Sequence, residues 1–416
     1  MSSPVSAAEP VPASQPGAFR LYALTLMTFF AASAAPTPLY RLYQEVFAIS
    51  PLTITVIFAV YAFSLLAALL IVGALSDHLG RRPAVAAAIV LQSLALVIFL
   101  FADGAGMLIA ARFLQGFATG AATSALGAAL VDTDPKRGPL ATAVSPLFGM
   151  ALGSLATGAL VAYGPFPLHL VYGLLLVIGI VELASLAGVR ETAILRPGLL
   201  ASLRPKIVIP PQALRAMAVL TPLNMSLWIL GGFFLSLMPS LLVRVTGISS
   251  PLFGGAVVAA VMLSGAVANL VLRQLPMRRV LVIGAPTLIA GMALLLVGIH
   301  LGAVAWLAVG TIVAGVGFGA SFLGVIGTIM PLAEPHQRAE LLAALYVESY
   351  LSFSLPAIVA GYLAGAIGLP ATADIYTAAI ALFAGGGLAA TFLIGLKPRP
   401  AGARCGPGCA EGKTAA

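Results

Sequence analysis

One short stretch of this chain has the residue types and the spacing to form ion pairs that can break and form again. Residues 73–83 read GALSDHLGRRP, where Asp77 precedes Arg81 by four positions and Arg82 follows directly. A carboxylate and a guanidinium at that spacing can reach each other if the turn between them is compact. Asp132, at the end of a later apolar run, is a further candidate partner for either arginine.

Two glycines flank these charges. Gly80 permits a sharp bend before Arg81, and Gly73 lets a neighbouring helix approach closely. The arginines alone could serve only to anchor a membrane protein at its cytoplasmic side, which is the alternative interpretation. Because anchoring does not require an aspartate between two glycines, we interpret the stretch as one side of a gate. Its charges would pair with the other half of the protein in one conformation and separate from it in another.

Three ionisable residues lie inside apolar runs, where charge is costly and commonly functional. Arg112 lies roughly 10 Å into its run, and Glu348 lies roughly 15 Å beyond Arg338, near the middle of its run. Glu182 lies roughly 12 Å before Arg190. All three are candidates for proton coupling. The alternatives are extension of Arg112 to the outer surface and an ion pair between Glu182 and the basic rim, which we favour for Glu182.

Asn224 and Trp228 stand four positions apart on one apolar run, so they share a helix face. The residues alone favour packing of Trp228, or its use as an anchor of the helix at the membrane interface.

Several kinds of chemistry have no signature in this sequence. There is no phosphate-binding loop, no nucleophile elbow and no paired Cys and His set, and Cys405 and Cys409 stand in a polar tail. The formal charge of +8 is distributed between apolar runs rather than gathered in a patch. We therefore expect no enzyme activity, no cofactor, no metal and no nucleic-acid partner.

The elements that must position these residues are membrane-spanning helices. The chain of 416 residues is 61% hydrophobic and 8% charged, and its apolar stretches are long enough to cross a bilayer. Hydropathy predicts twelve helices near residues 20–40, 52–75, 84–102, 106–131, 139–162, 168–189, 215–242, 252–273, 280–300, 302–330, 339–367 and 371–396.

The basic residues predict the orientation of these helices. Almost all of the 21 Lys and Arg residues fall on loops of one face, with Arg41 and Arg244 on the other. The basic face is therefore predicted to be cytoplasmic, with both termini on that side of a cell inner membrane. The predicted divisions are a disordered tail (1–18), a first six-helix bundle (19–190), a cytoplasmic linker (191–213), a second bundle (214–397) and a second disordered tail (398–416).

The second bundle repeats features of the first. Gly116 and Gly120 in QGFATGAA correspond to Gly315 and Gly319 in AGVGFGAS. An even number of spans in each half predicts parallel repeats related by an axis along the membrane normal.

The stretch that contains Gly73, Asp77, Gly80, Arg81 and Arg82 resembles the signature loop of the major facilitator superfamily. Twelve spans in two halves with a long central loop extend the resemblance over about residues 19 to 397. His78 departs from the basic residue usual in the family, and the second half lacks the aspartate and glycines of this loop.

Two further segments resemble family motifs. Arg112 with Gly116 and Gly120 is similar to a motif associated with proton coupling. Gly149 and Gly153, within GMALGSLATG, are similar to a glycine motif of the antiporter branches, from which this sequence departs at Ser154 and Thr157.

The resemblance implies an all-α integral membrane protein whose twelve transmembrane helices form two six-helix bundles around a central cavity. It implies that spans one, four, seven and ten line this cavity, which makes Asn224 and Trp228 on span seven a candidate contact for a small-molecule substrate. It implies a monomeric secondary transporter of the drug and metabolite efflux type that works by alternating access. We expect proton-coupled export of small, largely apolar or weakly charged molecules. The alternatives are proton- or sodium-coupled uptake of a small metabolite and, more distantly, a membrane-embedded enzyme or signalling protein. The expected partners are the substrate, protons and the lipid bilayer.

Overall fold

Twelve helices make up the body of the molecule. The structure is a computed structural model that describes residues 16–205 and 207–393. Eleven of the helices found there are long and apolar enough to cross a membrane, and a shorter apolar one completes the set. In chain order they are α1 Pro16–Ala34, α2 Pro51–Val72, α3 Arg81–Leu100, α4 Ala105–Thr133, α5 Gly138–Tyr163, α6 Leu170–Leu186, α7 Pro211–Ser236, α8 Pro251–Leu272, α9 Met277–Leu301, α10 Val304–Ile329, α11 Arg338–Ala366 and α12 Leu369–Leu393.

The shorter helix is α6, with 17 residues. At 1.5 Å per residue it is about 25 Å long, at the short end of what a bilayer core accepts. The prediction of an all-α protein with twelve such helices is confirmed. Short helical segments connect or extend the long ones: Thr37–Leu39, Tyr40–Phe47, Ser76–Leu79, Leu199–Ser202, Met238–Thr246, Met330–Leu332 and Pro335–Gln337.

Some predicted boundaries differ from the structure. Residues 16–18, predicted to belong to a disordered tail, are the first residues of α1, and Arg20 is an exposed residue within that helix rather than its beginning. The linker predicted to end at residue 213 ends earlier, because α7 begins at Pro211, a favourable first helical residue. The predicted tail 398–416 and the end of the last predicted span lie outside the described residues.

Helices α1–α6 and α7–α12 form two six-helix bundles. The bundles meet along two helix pairs, α2 with α11 and α5 with α8. Within the bundles, α2 packs on α4 and α3 packs on α4, and α8 and α9 pack on α10 in the same way. The two halves are therefore copies of one packing arrangement, as predicted for parallel repeats.

The matched glycines make matched contacts. A methyl group at Gly116 would meet Ser64 of α2, and one at Gly315 would meet Ser264 of α8. A side chain at either glycine would displace a packed helix, so the residue allows close approach of two backbones. The glycine repeat in the sequence therefore corresponds to the same close helix contact, which is present once in each bundle.

The same symmetry appears where the two bundles meet. Gly158 of α5 packs against Pro251 at the start of α8, and Gly361 of α11 packs against Thr55 near the start of α2. Gly153, from the predicted antiporter motif, packs against Ala31 of α1. In this structure the small residues of α5 therefore act in helix packing.

The halves touch at the face opposite the basic loops. Thr37 Oγ1 donates a hydrogen bond to the carbonyl of Leu235 at 3.0 Å. Ser240 Oγ donates to Gln44 Oε1 at 3.4 Å. The first contact joins the segment after α1 to α7, and the second joins the short helices Tyr40–Phe47 and Met238–Thr246, so the bundles are in contact at that face.

Candidate functional site

The charged loop between α2 and α3 is organised around Arg81. Its Nη1 donates to Asp77 Oδ1 and, at 2.7 Å, to Ser76 Oγ. Its Nε donates to Asp132 Oδ2 at 2.9 Å, which joins the loop to the end of α4. Arg81 thus contacts both predicted carboxylate partners. All of these residues belong to the first bundle, so these pairs do not cross between the halves.

The two glycines of the loop differ in what they contribute. Gly80 has φ +103° and ψ +153°, a backbone conformation that is nearly exclusive to glycine. Gly73 has Ser124 Oγ as its nearest neighbour from another helix, at the ordinary contact distance of 3.4 Å. The close helix approach predicted at Gly73 lies instead at Gly116 and Gly120 of α4, which pack against α2.

A carboxylate from the linker caps α3. Glu191 Oε1 accepts a hydrogen bond from the backbone N–H of Arg81 at 2.8 Å, and its Oε2 accepts one from Arg82 at 3.0 Å. It also accepts from the N–H groups of Thr192 and Ala193. Partial burial alone would raise the pKa of the Glu191 carboxyl, but these four donors hold its pKa below the ordinary value. Glu191 therefore remains a charged cap at neutral pH.

The linker also follows the loop beyond this cap. The Arg196 N–H donates to the carbonyl of Asp77 at 3.1 Å, and His78 Nδ1 lies 2.7 Å from the carbonyl of Arg196. A Cβ at Gly80 would lie 2.6 Å from Glu191 Oε2. The loop and the first part of the linker are thus one packed unit at the basic face.

Arg112 is fully buried in the first bundle, with 1% of its surface exposed. Its Nη1 donates to the Ser33 carbonyl at 2.9 Å and to Gln115 Oε1 at 2.7 Å, and its Nη2 donates to Tyr40 Oη at 2.8 Å. Its guanidinium carbon stands 4.5 Å from the centre of the Tyr61 ring. The side chain therefore does not extend to the outer surface, and neutral acceptors and a π-face stabilise its charge.

Glu182 is buried in the last turn of α6. Thr28 Oγ1 of α1 donates to its Oε1 at 2.7 Å. The ion pair with basic residues of the rim that we favoured is not what the described residues show, because the partner is a hydroxyl. α6 ends at Leu186, so Glu182 is also nearer the basic face than predicted.

Asn224 and Glu348 meet between α7 and α11 in the second bundle. Asn224 Nδ2 donates to Glu348 Oε2 and, at 2.8 Å, to Ser349 Oγ. The amide predicted for substrate contact and the carboxylate predicted for proton coupling are therefore direct neighbours. The spacing of residues within either helix predicts neither this contact nor the hydrogen bond to Ser349.

Aromatic rings line the same place. The Trp228 ring lies 4.9 Å from that of Tyr350 and 5.6 Å from that of Phe353, between ring centres. Phe58 of α2, from the other bundle, stacks at a tilt on Phe353 at 4.8 Å. We call Trp228, Tyr350, Phe353 and Phe58 the aromatic wall. It extends across the boundary between the two halves.

Three polar atoms at this place are buried and have no hydrogen-bond partner among the residues that the structure describes. They are the acceptors Asn224 Oδ1 and Glu348 Oε1 and the donor Trp228 Nε1. Buried polar groups are normally paired, so each of these atoms is available to a water or a ligand. Within the described residues there is no group of three or more His, Cys, Asp and Glu side chains that could hold a metal ion.

The predicted residues thus fall into separate places. The loop with Arg81 lies at the basic face, Arg112 and Glu182 lie in the first bundle, and Asn224, Trp228 and Glu348 converge in the second. The capping role of Glu191 could not be predicted from sequence, because it depends on backbone groups more than a hundred residues away. Ser349 and Tyr350 could have been found, since they belong to YVESYLSFS, a polar segment of α11.

The fold is that of a polytopic membrane protein built from two repeated bundles. The family model of the Major Facilitator Superfamily matches residues 21–355. The chain belongs to this superfamily, and it is a transporter rather than an enzyme. No curated protein matches it.

Two solved structures show the same fold. The nucleoside transporter NupG is 13% identical with a TM-score of 0.71, and the match covers 90% of this chain and 99% of that one. A bacterial homologue of the human lysosomal transporter Spinster, in an inward-facing and unoccupied conformation, is 15% identical with a TM-score of 0.72. That match covers 94% of this chain and 100% of the other. At these identities the likeness is one of fold.

Proposed function

We propose that this protein exports small, largely apolar or weakly charged molecules across the cell inner membrane in exchange for protons. The observation that carries the proposal is the contact between Asn224 and Glu348 beside the aromatic wall. It places a group able to bind a proton next to groups able to bind a ligand.

The site favours a flat, mostly apolar ligand. Trp228, Tyr350 and Phe353 offer ring surfaces, on which an aromatic or alicyclic body can stack. Asn224 Oδ1 can accept a hydrogen bond from the ligand, and Trp228 Nε1 can donate one. A multiply anionic ligand would be repelled by the charged form of Glu348, which disfavours phosphorylated substrates.

Coupling follows if proton and ligand compete for Glu348. The charged carboxylate accepts from Asn224 and has Oε1 left to accept from a ligand, whereas the protonated carboxyl loses part of that capacity. Binding of either proton or ligand then weakens binding of the other. The site therefore carries one or the other each time it changes the side of the membrane to which it is open. That is the logic of exchange.

Alternating access also needs a gate, and we assign one side of it to the loop that contains Asp77, Arg81 and Asp132. In the present structure the halves touch at the opposite face through Thr37 and Ser240. We expect the loop to contact the second bundle when that face opens, with Gly80 and Glu191 holding the start of α3 in place.

The same site could support uptake instead. If the ligand binds best when Glu348 is protonated, proton and ligand travel together, and the protein is a symporter. The aromatic wall with a free donor and acceptor would suit a nucleobase, and NupG is a nucleoside transporter of the same fold. The direction of proton movement that accompanies the ligand separates the two functions.

The test uses proteoliposomes loaded with a pH-sensitive dye. Labelled nucleosides and apolar aromatic amines are added outside, and proton movement and label uptake are recorded together. For exchange, label entry should drive protons out; for symport, protons should enter with the label. Glu348→Gln should abolish the proton signal, whereas the matched control Glu340→Gln, in the first turn of the same helix, should retain it. Label movement with no proton signal would contradict the proposal.

A further inference from the structure

A second polar site lies inside the first bundle, away from the aromatic wall. A small cavity between α1, α3 and α6 is lined by polar side chains of all three helices: Thr28, Gln92, Ser93 and Glu182. The space open to the centre of a water molecule is about 10 Å³. One buried water needs about 10–15 Å³ of such space, so the cavity is just large enough for one.

Gln92 is the unexplained residue here. It lies in the apolar helix α3 and is 6% exposed, yet within residues 16–205 and 207–393 neither Nε2 nor Oε1 of its amide has a hydrogen-bond partner. A buried amide without partners costs on the order of 1–3 kcal/mol in typical proteins. One water corrects this, because it can accept from Nε2 and donate to Oε1, and its second hydrogen can reach a third group.

Glu182 is the natural third group. Its Oε1 accepts from Thr28 at 2.7 Å, and both residues line the same cavity as Gln92. A sodium ion would satisfy Gln92 Oε1 but would face the partial positive charge of Nε2. Water satisfies both atoms of the amide, so the chemistry favours water over a cation.

The other described groups that face Glu182 are uncharged. Thr25 and Thr28 face it from α1, and Gln92 and Ser93 face it from α3. Tyr22, further along α1, lies instead among the charged groups near Glu191 at the basic face. On α5 the sole titratable side chain is Tyr163, at the far end of that helix. A proton on Glu182 is therefore held without a counter-charge.

We propose that Gln92, Glu182 and one ordered water form a proton-binding site in the first bundle that is separate from the ligand site at Glu348. The water links the carboxyl to the amide and provides the first step by which a proton enters or leaves. A role of this site in transport rests on the proton coupling proposed above. The existence of the site does not depend on that proposal.

Infrared difference spectra of the reconstituted protein test the site. Buffer is exchanged between neutral and acidic pH, in ordinary and in heavy-oxygen water. We expect a protonated-carboxyl band that Glu182→Gln removes and Glu348→Gln leaves. We also expect an oxygen-isotope-sensitive O–H band that Gln92→Leu removes. Thr123→Val, which removes a hydroxyl bonded to the Thr119 carbonyl, is the control and should leave both bands.

Ser93→Leu gives a second way to displace the water, by filling the cavity beside an intact Gln92. The inference is wrong if the isotope-sensitive band survives both leucine variants, or if the carboxyl band responds to sodium rather than to acid. If the bands behave as expected while transport in proteoliposomes is independent of the pH gradient, the proposed function is wrong and the water site stands.

Discussion

The cap that Glu191 provides for α3 gives a prediction whose size follows from the structure. Glu191→Ala removes the acceptor of two backbone N–H groups, those of Arg81 and Arg82. Loss of a helix cap costs about 0.5–2 kcal/mol, and because Glu191 is exposed, water can replace part of the interaction. We expect a cost of about 1 kcal/mol, confined to the first turn of α3, which is about a fivefold change in local opening.

Hydrogen exchange of the reconstituted protein measures that opening. Amides in the peptide that begins at Arg81 should exchange about fivefold faster in Glu191→Ala, while those of the rest of α3 stay unchanged. The difference should depend on pH in a definite direction. Because the folded pKa of Glu191 is lowered, its contribution is present at neutral pH and is lost as the pH falls through that lowered value.

The control is Glu45→Ala, which removes an exposed carboxylate paired with Arg41 at the opposite face. It should leave exchange at α3 unchanged. Equal exchange at the start of α3 in wild type and Glu191→Ala at neutral pH would refute the capping role, and so would a difference that persists in acid.

Other substitutions test the packing and the buried arginine. Gly80→Ala should cost about 1–3 kcal/mol, measured by thermal unfolding in detergent, because its backbone conformation is close to glycine-only. Gly116→Ala should lower thermal stability by separating α4 from α2, whereas Gly365→Ala, which has open space around it, should not; equal effects would contradict the packing account. Arg112→Lys should lower thermal stability, because an ammonium cannot reproduce the planar donor set that reaches Gln115 and two other acceptors; wild-type stability would show that the charge alone suffices.

The architecture of this protein could be predicted from sequence because the physical signal is local. An apolar run of sufficient length must become a helix in lipid, and the repeated glycines mark places where backbones approach. The Arg81 contacts with Asp77 and Asp132 followed the same logic of short spacing and shared membrane face.

What could not be predicted depends on contacts between distant segments. Nothing in α7 or α11 alone indicates that Asn224 and Glu348 touch, and nothing in the linker indicates that Glu191 reaches back to Arg81. Glu182 was assigned a basic partner because basic residues are near it in sequence, whereas the helix packing turns it toward Thr28. Gln92 could not be identified from the sequence, since the role of a single amide in an apolar helix depends on its neighbours in space.

The central claim is that Glu348 couples ligand movement to protons. In proteoliposomes, wild-type protein should concentrate a transported label against its gradient when a pH gradient is imposed. Glu348→Gln should exchange label for label across the membrane but no longer concentrate it. If Glu348→Gln still accumulates label in response to the pH gradient, the coupling does not depend on Glu348 and the account is contradicted.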